Sequence, residues 1–233
     1  MPKVYLSPAY HKFNPCAIEG CDETTHNNLY LDALEPHLKA CGIDFKRGPR
    51  RVPKSAQNGT VLMQEAVAES NAWGADVHYV SHTNASSNTV GGGKVRGYRP
   101  IIYTGSVKGK KLASYMTKRR AEVYDQPIRL NERTDLYELR VSKATAYYEE
   151  HVFHDNPADA RWFHDHLDDI ARSAAKGLCD YFGIPYVEPK TAAQDGTIYR
   201  VQVGACTVKA NADAYLKEVQ AAGFPEAYIT TAK

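Results

Sequence analysis

The chain has 233 residues, 43% of them hydrophobic, with 29 basic side chains against 27 acidic ones. That length and apolar share support one substantial α/β core with a small appendix, and so even a charge balance calls for no nucleic-acid partner. No apolar run approaches the roughly 20 residues of a membrane-spanning helix, so membrane insertion is not expected.

In chain order, Val4-Tyr5-Leu6 form a short β-type run that ends at Ser7-Pro8. The opening MPKVYLSPAY lacks the basic segment and the roughly 7–15-residue apolar stretch of a secretory signal, so synthesis as a soluble cytoplasmic chain is expected. A helical pattern over 22–40 carries Asn27, Leu31, Leu34 and Leu38 on one stripe. The stripe continues through Pro36, where an interior proline removes a hydrogen bond and strains the axis. Helical residues 62–72 lead into an apolar, β-branched strand over 76–81. Another strand is expected at 99–104 after Gly91-Gly92-Gly93, a helix over 108–124, a strand over 144–149 and a helix over 157–182. Strands alternating with helices of this length predict an α/β fold: a mostly parallel twisted sheet with helices on both faces.

The polar, turn-rich residues 187–196 separate a domain over 1–186 from an appendix over 197–233. The appendix reads β-α-β, with strands at 198–204 and 227–230 around a helix at 209–222. It is too small to bury a good core alone. Five cysteines, Cys16, Cys21, Cys41, Cys179 and Cys206, form no CxxC pair. They predict no disulfide framework and fit a reducing compartment. The basic residues Arg96, Arg99, Lys108, Lys110, Lys111, Lys118, Arg119 and Arg120 crowd into one stretch. Such a run is either a solvated helix face or a local attraction for an anionic polymer.

Candidate chemistry gathers at the carboxyl ends of the predicted strands, where open parallel sheets bind ligands. His11 follows the first strand, His82 ends the strand expected at 76–81, and Glu150 ends the one at 144–149. Glu23 heads the helix whose core-facing stripe holds Asn27 and Leu31, and a carboxylate on that line is costly unless something pairs it. Two histidines with one carboxylate leave a fourth position open for water, the pattern of a catalytic zinc. A further carboxylate outside the metal's ligands can carry the proton from water to a leaving amine. Spacing alone does not choose among the histidines: His78 shares a strand face with His82, and His26 lies one helical turn from Glu23.

Ser81-His82-Thr83-Asn84-Ala85 stands at a strand end. This motif resembles the strand-end S-x-H-x-N-A signature, one residue shorter before the histidine, of the zinc-dependent N-acetylmuramoyl-L-alanine amidases of phage endolysins and bacterial cell-wall hydrolases. Glu23 with Asn27 resembles the family's E-x-x-x-N helix start. Glu150-His151-Val152-Phe153-His154-Asp155-Asn156, preceded by Leu139-Arg140, resembles the stretch with the catalytic glutamate. Where the family has D-x-G-H-G, this chain has Ser7-Pro8-Ala9-Tyr10-His11.

The resemblance, which spans 3–183, implies a single zinc ion held by His11, Glu23 and His82, with Glu150 as catalytic base. Asn84 and Arg140 are then expected to position substrate, and His26 and His78 to be structural. Strand alternation puts Glu149 and Glu150 on opposite faces, so only one can serve. Residues 199–205, with Asn211-Ala212-Asp213-Ala214 and Ala222-Gly223-Phe224, resemble one half of a SPOR domain, a module that binds peptidoglycan glycan strands. The half-domain is expected to pair with its counterpart in another chain, giving a homodimer. Implied overall is a peptidoglycan hydrolase that acts at the cell wall after lysis or holin-type export. Another zinc peptidase, such as a carboxypeptidase, and a non-catalytic wall-binding protein are the alternatives.

Overall fold

The computed structural model describes residues 1–11, 13–50, 53–190, 202–221 and 227–231. Two units are present, Met1–Lys190 and Thr191–Lys233. The first contains β1 (Lys3–Pro8), α1 (Glu23–Ala40), β2 (Asp44–Arg47), α2 (Ala56–Trp73), β3 (Val77–Asn84), β4 (Arg99–Tyr103), α3 (Val107–Arg120), β5 (Asn131–Arg133), α4 (Tyr137–Val141), β6 (Thr145–Phe153), α5 (Pro157–Asp165) and α6 (Leu167–Phe182). Its six strands run in the order β2-β1-β3-β6-β4-β5. All neighbours are parallel except β4 and β6, so the mostly parallel sheet expected from the sequence is the one observed.

Side-chain alternation sends Val4, Leu6, Tyr79 and Tyr147 to one face, where Leu31, Leu34 and Leu38 of α1, Met116 of α3 and Leu178 of α6 complete the main core. The other face carries Tyr5 with Leu62 and Ala66 of α2, and Val80 and Tyr148 with Leu139 of α4. Each fully buried leucine contributes about 1.5–3 kcal/mol relative to exposure. The three on α1 outweigh the roughly 3 kcal/mol cost of Pro36, and the helix runs unbroken past it.

Several sequence expectations are corrected. The single helix over 157–182 is two, because His166 leaves helical geometry (φ −122°, ψ 25°). Its imidazole Nδ1–H and its backbone N–H both donate to the Trp162 carbonyl, which ends α5 there. The strands β2 and β5 carry Asp44-Phe45-Lys46-Arg47 and Asn131-Glu132-Arg133. These short, charged segments lack apolar alternation because they are sheet edges, where charge discourages pairing with other chains. Cys16 and Cys21 are joined by a disulfide, contrary to the expected absence of one. The isolated bridge between Pro15 and Asp22 turns the chain back so that the two Cα atoms lie 5.2 Å apart, a geometry a disulfide accepts. The premise for a reducing compartment goes with it.

Four of the eight residues of the basic run are paired with acidic side chains among the described residues. Arg119 pairs with Asp180 and Glu122, Lys110 with Glu132 and Arg96 with Asp159. Arg120 is no solvated residue, being 1% exposed.

α6 ends at Gly183, whose φ of +70° is the left-handed conformation that closes a helix with little strain. Within α6, a Cβ at Gly177 would lie 2.5 Å from Met116 Sδ and 3.1 Å from Met116 Cα. Gly177→Ala is therefore expected to destabilise the protein by about 1–3 kcal/mol through overpacking against α3. Urea unfolding at constant m-value checks this, and an unchanged midpoint would refute it.

In the second unit, α7 (Lys209–Ala221) takes the place of the helix expected over 209–222. The flanking strands do not form among the described residues: 202–204 and 227–230 have no ladder, while 198–201 lie outside the described residues. Instead Val203 O accepts from the Tyr215 hydroxyl and Ala227 O from Gln220 Nε2. A strand without a neighbour has nowhere to place its N–H and C=O groups except on side chains and water. Residues 187–190 of the expected linker carry no regular structure, and 191–196 lie outside the described residues.

Candidate active site and metal centre

Because β1, β3 and β6 are adjacent and parallel, their carboxyl ends open at one place. His82 of β3 stands directly opposite Glu150 of β6 in register. His11 lies just beyond β1, and Glu23 opens α1, capped by Asp22, whose carboxylate accepts from the Thr25 N–H. The segment from β1 to α1 is pinned where it matters. Thr24 Oγ1 accepts from the His11 N–H (3.1 Å) and donates to the His11 carbonyl (2.9 Å), and Asn14 O accepts from the Glu23 N–H at 2.8 Å.

Glu23 is the centre of the group. Its Oε1 accepts from His82 Nδ1 at 3.1 Å and from the Thr83 N–H at 3.0 Å. Its Oε2 accepts from Asn14 Nδ2 at 2.7 Å and lies 3.5 Å from His11 Nε2. The carboxylate is 1% exposed, yet among the described residues it meets no lysine or arginine. Burial alone would raise its pKa; the His82 bond and charge, His11 and the Thr83 N–H together hold it down at about 2. Burial lowers His82, but Glu23 outweighs that and the net shift is upward. The His82 ring is also stacked on Tyr148, with centroids 4.6 Å apart.

One ligand atom from each of His11, Glu23 and His82 falls within 4.8 Å of the others. Two imidazoles converging on a buried carboxylate without a fixed cation form a donor set that fits a divalent metal, with the His82–Glu23 proton as what the metal would replace.

Glu150 is partly buried, and its Oε2 has no hydrogen-bond partner. Burial pushes its carboxyl up to about 8 from an ordinary 4.5, with His82 and Arg133 opposing the shift and Glu23 adding to it. A carboxyl raised on folding stabilises fully below its unfolded pKa, and that contribution is lost as pH rises through the folded value. Metal-free wild type is thus expected to lose stability from about pH 5 to pH 8 relative to Glu150→Gln, which has no proton to lose. Denaturant midpoints across that range check this, and parallel curves would refute it.

Glu149 faces the opposite side of β6, into the main core. Hydroxyls of Tyr79 and Tyr98 donate to it, and Arg120 Nη2 lies 3.7 Å away. From there a buried relay returns to the site. Arg120 Nη2 donates to His151 Nδ1 (3.0 Å), so His151 Nε2–H donates to Ser81 Oγ (3.0 Å), and Ser81 donates to Asn27 Oδ1 (2.7 Å). Asn27 Nδ2 then donates to the Glu23 carbonyl at 2.9 Å. Asn27 and Ser81 thereby hold the start of α1 in place.

Of the other expected residues, Asn84 ends β3, with Oδ1 on the Ala85 N–H and its carbonyl on the His154 N–H. Arg140 is exposed on α4 with its guanidinium over Tyr137. No hydrogen bond among the described residues joins it to His11, Glu23, His82 or Glu150. His78 bonds Glu138 at 3.2 Å, and Ser7 Oγ donates to the same oxygen at 2.6 Å. Sequence reasoning missed Asn14, Thr24, Tyr148 and Glu138. Glu138 lies beside Leu139-Arg140, Thr24 beside Glu23 and Tyr148 two residues before Glu150, whereas Asn14 had no motif nearby.

The SPOR domain family model matches residues 169–231. That match begins inside α6, whose Ile170, Ala174 and Leu178 are packed in the main core of the first unit. The N-acetylmuramoyl-L-alanine amidase CwlM of Bacillus licheniformis is 32% identical over 170 residues, covering 71% of this chain and 61% of that protein. The sporulation-specific N-acetylmuramoyl-L-alanine amidase of Bacillus subtilis (strain 168) is 30% identical over 230 residues, covering 96% of this chain and 83% of that one. The CwlD amidase of Clostridioides difficile, solved in complex with the GerS lipoprotein, has the same fold. Its TM-score is 0.68 at 15% identity, covering 78% of this chain and 99% of that one. With that identity sustained along nearly the whole chain, and the amidase fold beneath it, the chain belongs to the N-acetylmuramoyl-L-alanine amidases, a family of peptidoglycan hydrolases.

Proposed function

We propose that the chain hydrolyses the amide between the lactyl group of N-acetylmuramic acid and the L-alanine of the stem peptide, using one zinc ion held by His11, Glu23 and His82. The observation that carries this is the register of β3 and β6, which sets Glu150 beside His82 and the buried Glu23. A zinc ion bound there supplies Lewis acidity for the amide carbonyl and for water.

The residues do the rest. Glu23 is already ionised and anchored by Thr83 and Asn14, so it is ordered before any cation arrives. Glu150 has an oxygen free of internal partners; it takes the proton of the attacking water and passes it to the departing alanine nitrogen. Positive charge at the triad lowers its raised pKa toward the working range. Asn84, at the end of β3, and Arg140, exposed on α4, contact the glycan or the peptide.

The C-terminal segment binds the wall and raises the local enzyme concentration there. It completes its sheet against the same segment of a second copy, which would cover the exposed Val203, Tyr228 and Ile229. The enzyme meets its substrate after lysis or holin-type export. Digestion of purified cell walls is expected to release new N-terminal alanine. Release of C-terminal amino acids instead would mean a carboxypeptidase, and no release at all a silent wall-binding protein.

A further inference from the structure

Between His11 and Glu23 the chain carries Cys16 and Cys21, which with His26 of α1 form a second cluster that the amidase reaction does not use. Cys16, Cys21 and His26 are each 5–6% exposed, and a ligand atom from each lies within 4.8 Å of the others. His26 Nε2 meets His164 Nδ1 at 2.9 Å, whereas His26 Nδ1 is buried with no partner. The disulfide accounts for the two sulfurs but leaves that nitrogen unsatisfied, and a buried polar atom without a partner is costly.

We propose that, once Cys16 and Cys21 are reduced, their two thiolates and His26 Nδ1 hold a thiophilic divalent cation, zinc by the donor set, at a site separate from His11, Glu23 and His82. Two sulfurs and an imidazole select zinc over the hard cations that prefer oxygen. His164 supplies what a ligating histidine needs: by accepting the His26 Nε2–H it leaves the lone pair on Nδ1. Burial, and then His164, hold the His26 pKa below its ordinary value, which favours the neutral ring that binds metal. Ala17, Ile18 and Ala160 pack around the sulfurs and keep the place dry.

The chemistry balances. A dithiol reductant gives two electrons and two protons to the S–S bond, leaving two protein thiols and closing to its own cyclic disulfide. Binding the cation then releases those two protons. Disulfide and cation are thus alternative staples for the segment that carries Asn14 and joins His11 to Glu23.

The test uses the full chain, stripped of metal, reduced with a dithiol that is then removed under nitrogen, and titrated with Co²⁺. Reduced wild type is expected to show the intense near-ultraviolet sulfur-to-cobalt charge-transfer band and about one more equivalent of cobalt than the oxidised protein, which lacks the band. In reduced Cys16→Ser/Cys21→Ser the band should be lost. A reduced wild type without the band, or a band that survives in the double variant, would overturn the proposal. Alkylation repeats the test without substitutions: zinc should protect Cys16 and Cys21, and equal labelling with and without zinc would again overturn it. Because only this site contains sulfur, failure of the His11–Glu23–His82 reading would remove the cobalt bound to oxidised protein and leave the band intact.

Discussion

Glu150→Gln is expected to lower the rate of cell-wall hydrolysis by about 10²- to 10⁴-fold while zinc binding and the unfolding midpoint at pH 5 stay close to wild type. The amide keeps the size of the side chain but cannot accept the proton of water. Glu150 can be spared structurally because among the described residues it holds no ion pair and its Oε2 has no hydrogen-bond partner to lose. Turbidity loss of purified walls measures the rate, and equilibrium dialysis measures the zinc. Activity within about threefold of wild type would exclude Glu150 as the proton carrier.

Arg120→Met is expected to destabilise the fold by about 3–5 kcal/mol. Arg120 and Glu149 are each 1% exposed, with Nη2 and Oε2 3.7 Å apart. Arg120 also lies over the Tyr98 ring, 4.4 Å from its centroid. Burial pushes Glu149 up, and Arg120 with the tyrosine hydroxyls pulls it back. Removing the arginine leaves the carboxyl buried without its counter-charge. The pair is not itself a strong source of stability, because Arg120 Nε and Nη1 have no partners. Accordingly, Arg120→Met/Glu149→Gln should recover a large part of the loss, since neither side then carries an uncompensated charge. Denaturant unfolding of the two variants tests this, and a double variant no more stable than Arg120→Met would refute it.

The contrast between Glu149 and Glu150 shows where sequence reasoning ends. Alternation along a strand puts neighbours on opposite faces, and that much is visible in the letters. Which face holds the chemistry depends on what packs against each. Glu149 points into the core among Tyr79, Tyr98 and Arg120, and Glu150 stands across from His82. The same limit hid Arg120 in a basic run, where its neighbours are surface residues and it alone turns inward. It also hid the disulfide, since two cysteines five residues apart meet only because Pro15 and Asp22 pair.

By itself the sequence determined the layered α/β plan, through apolar stripes and β-branched runs whose periods are local. It also determined His82, Glu150 and Glu23 as candidates, through short motifs at strand ends and at a helix start. Tertiary structure alone decided that Glu23 meets both His82 and His11, because the distances of 3.1 Å and 3.5 Å about Glu23 depend on β1, β3 and α1 being packed together. Asn14 and Thr24 could be recognised only there, as hydrogen bonds across 9 and 13 residues that no local period encodes. The C-terminal segment shows the converse. Its helix is local and forms as expected, whereas its strands need a neighbouring strand that the described residues do not provide.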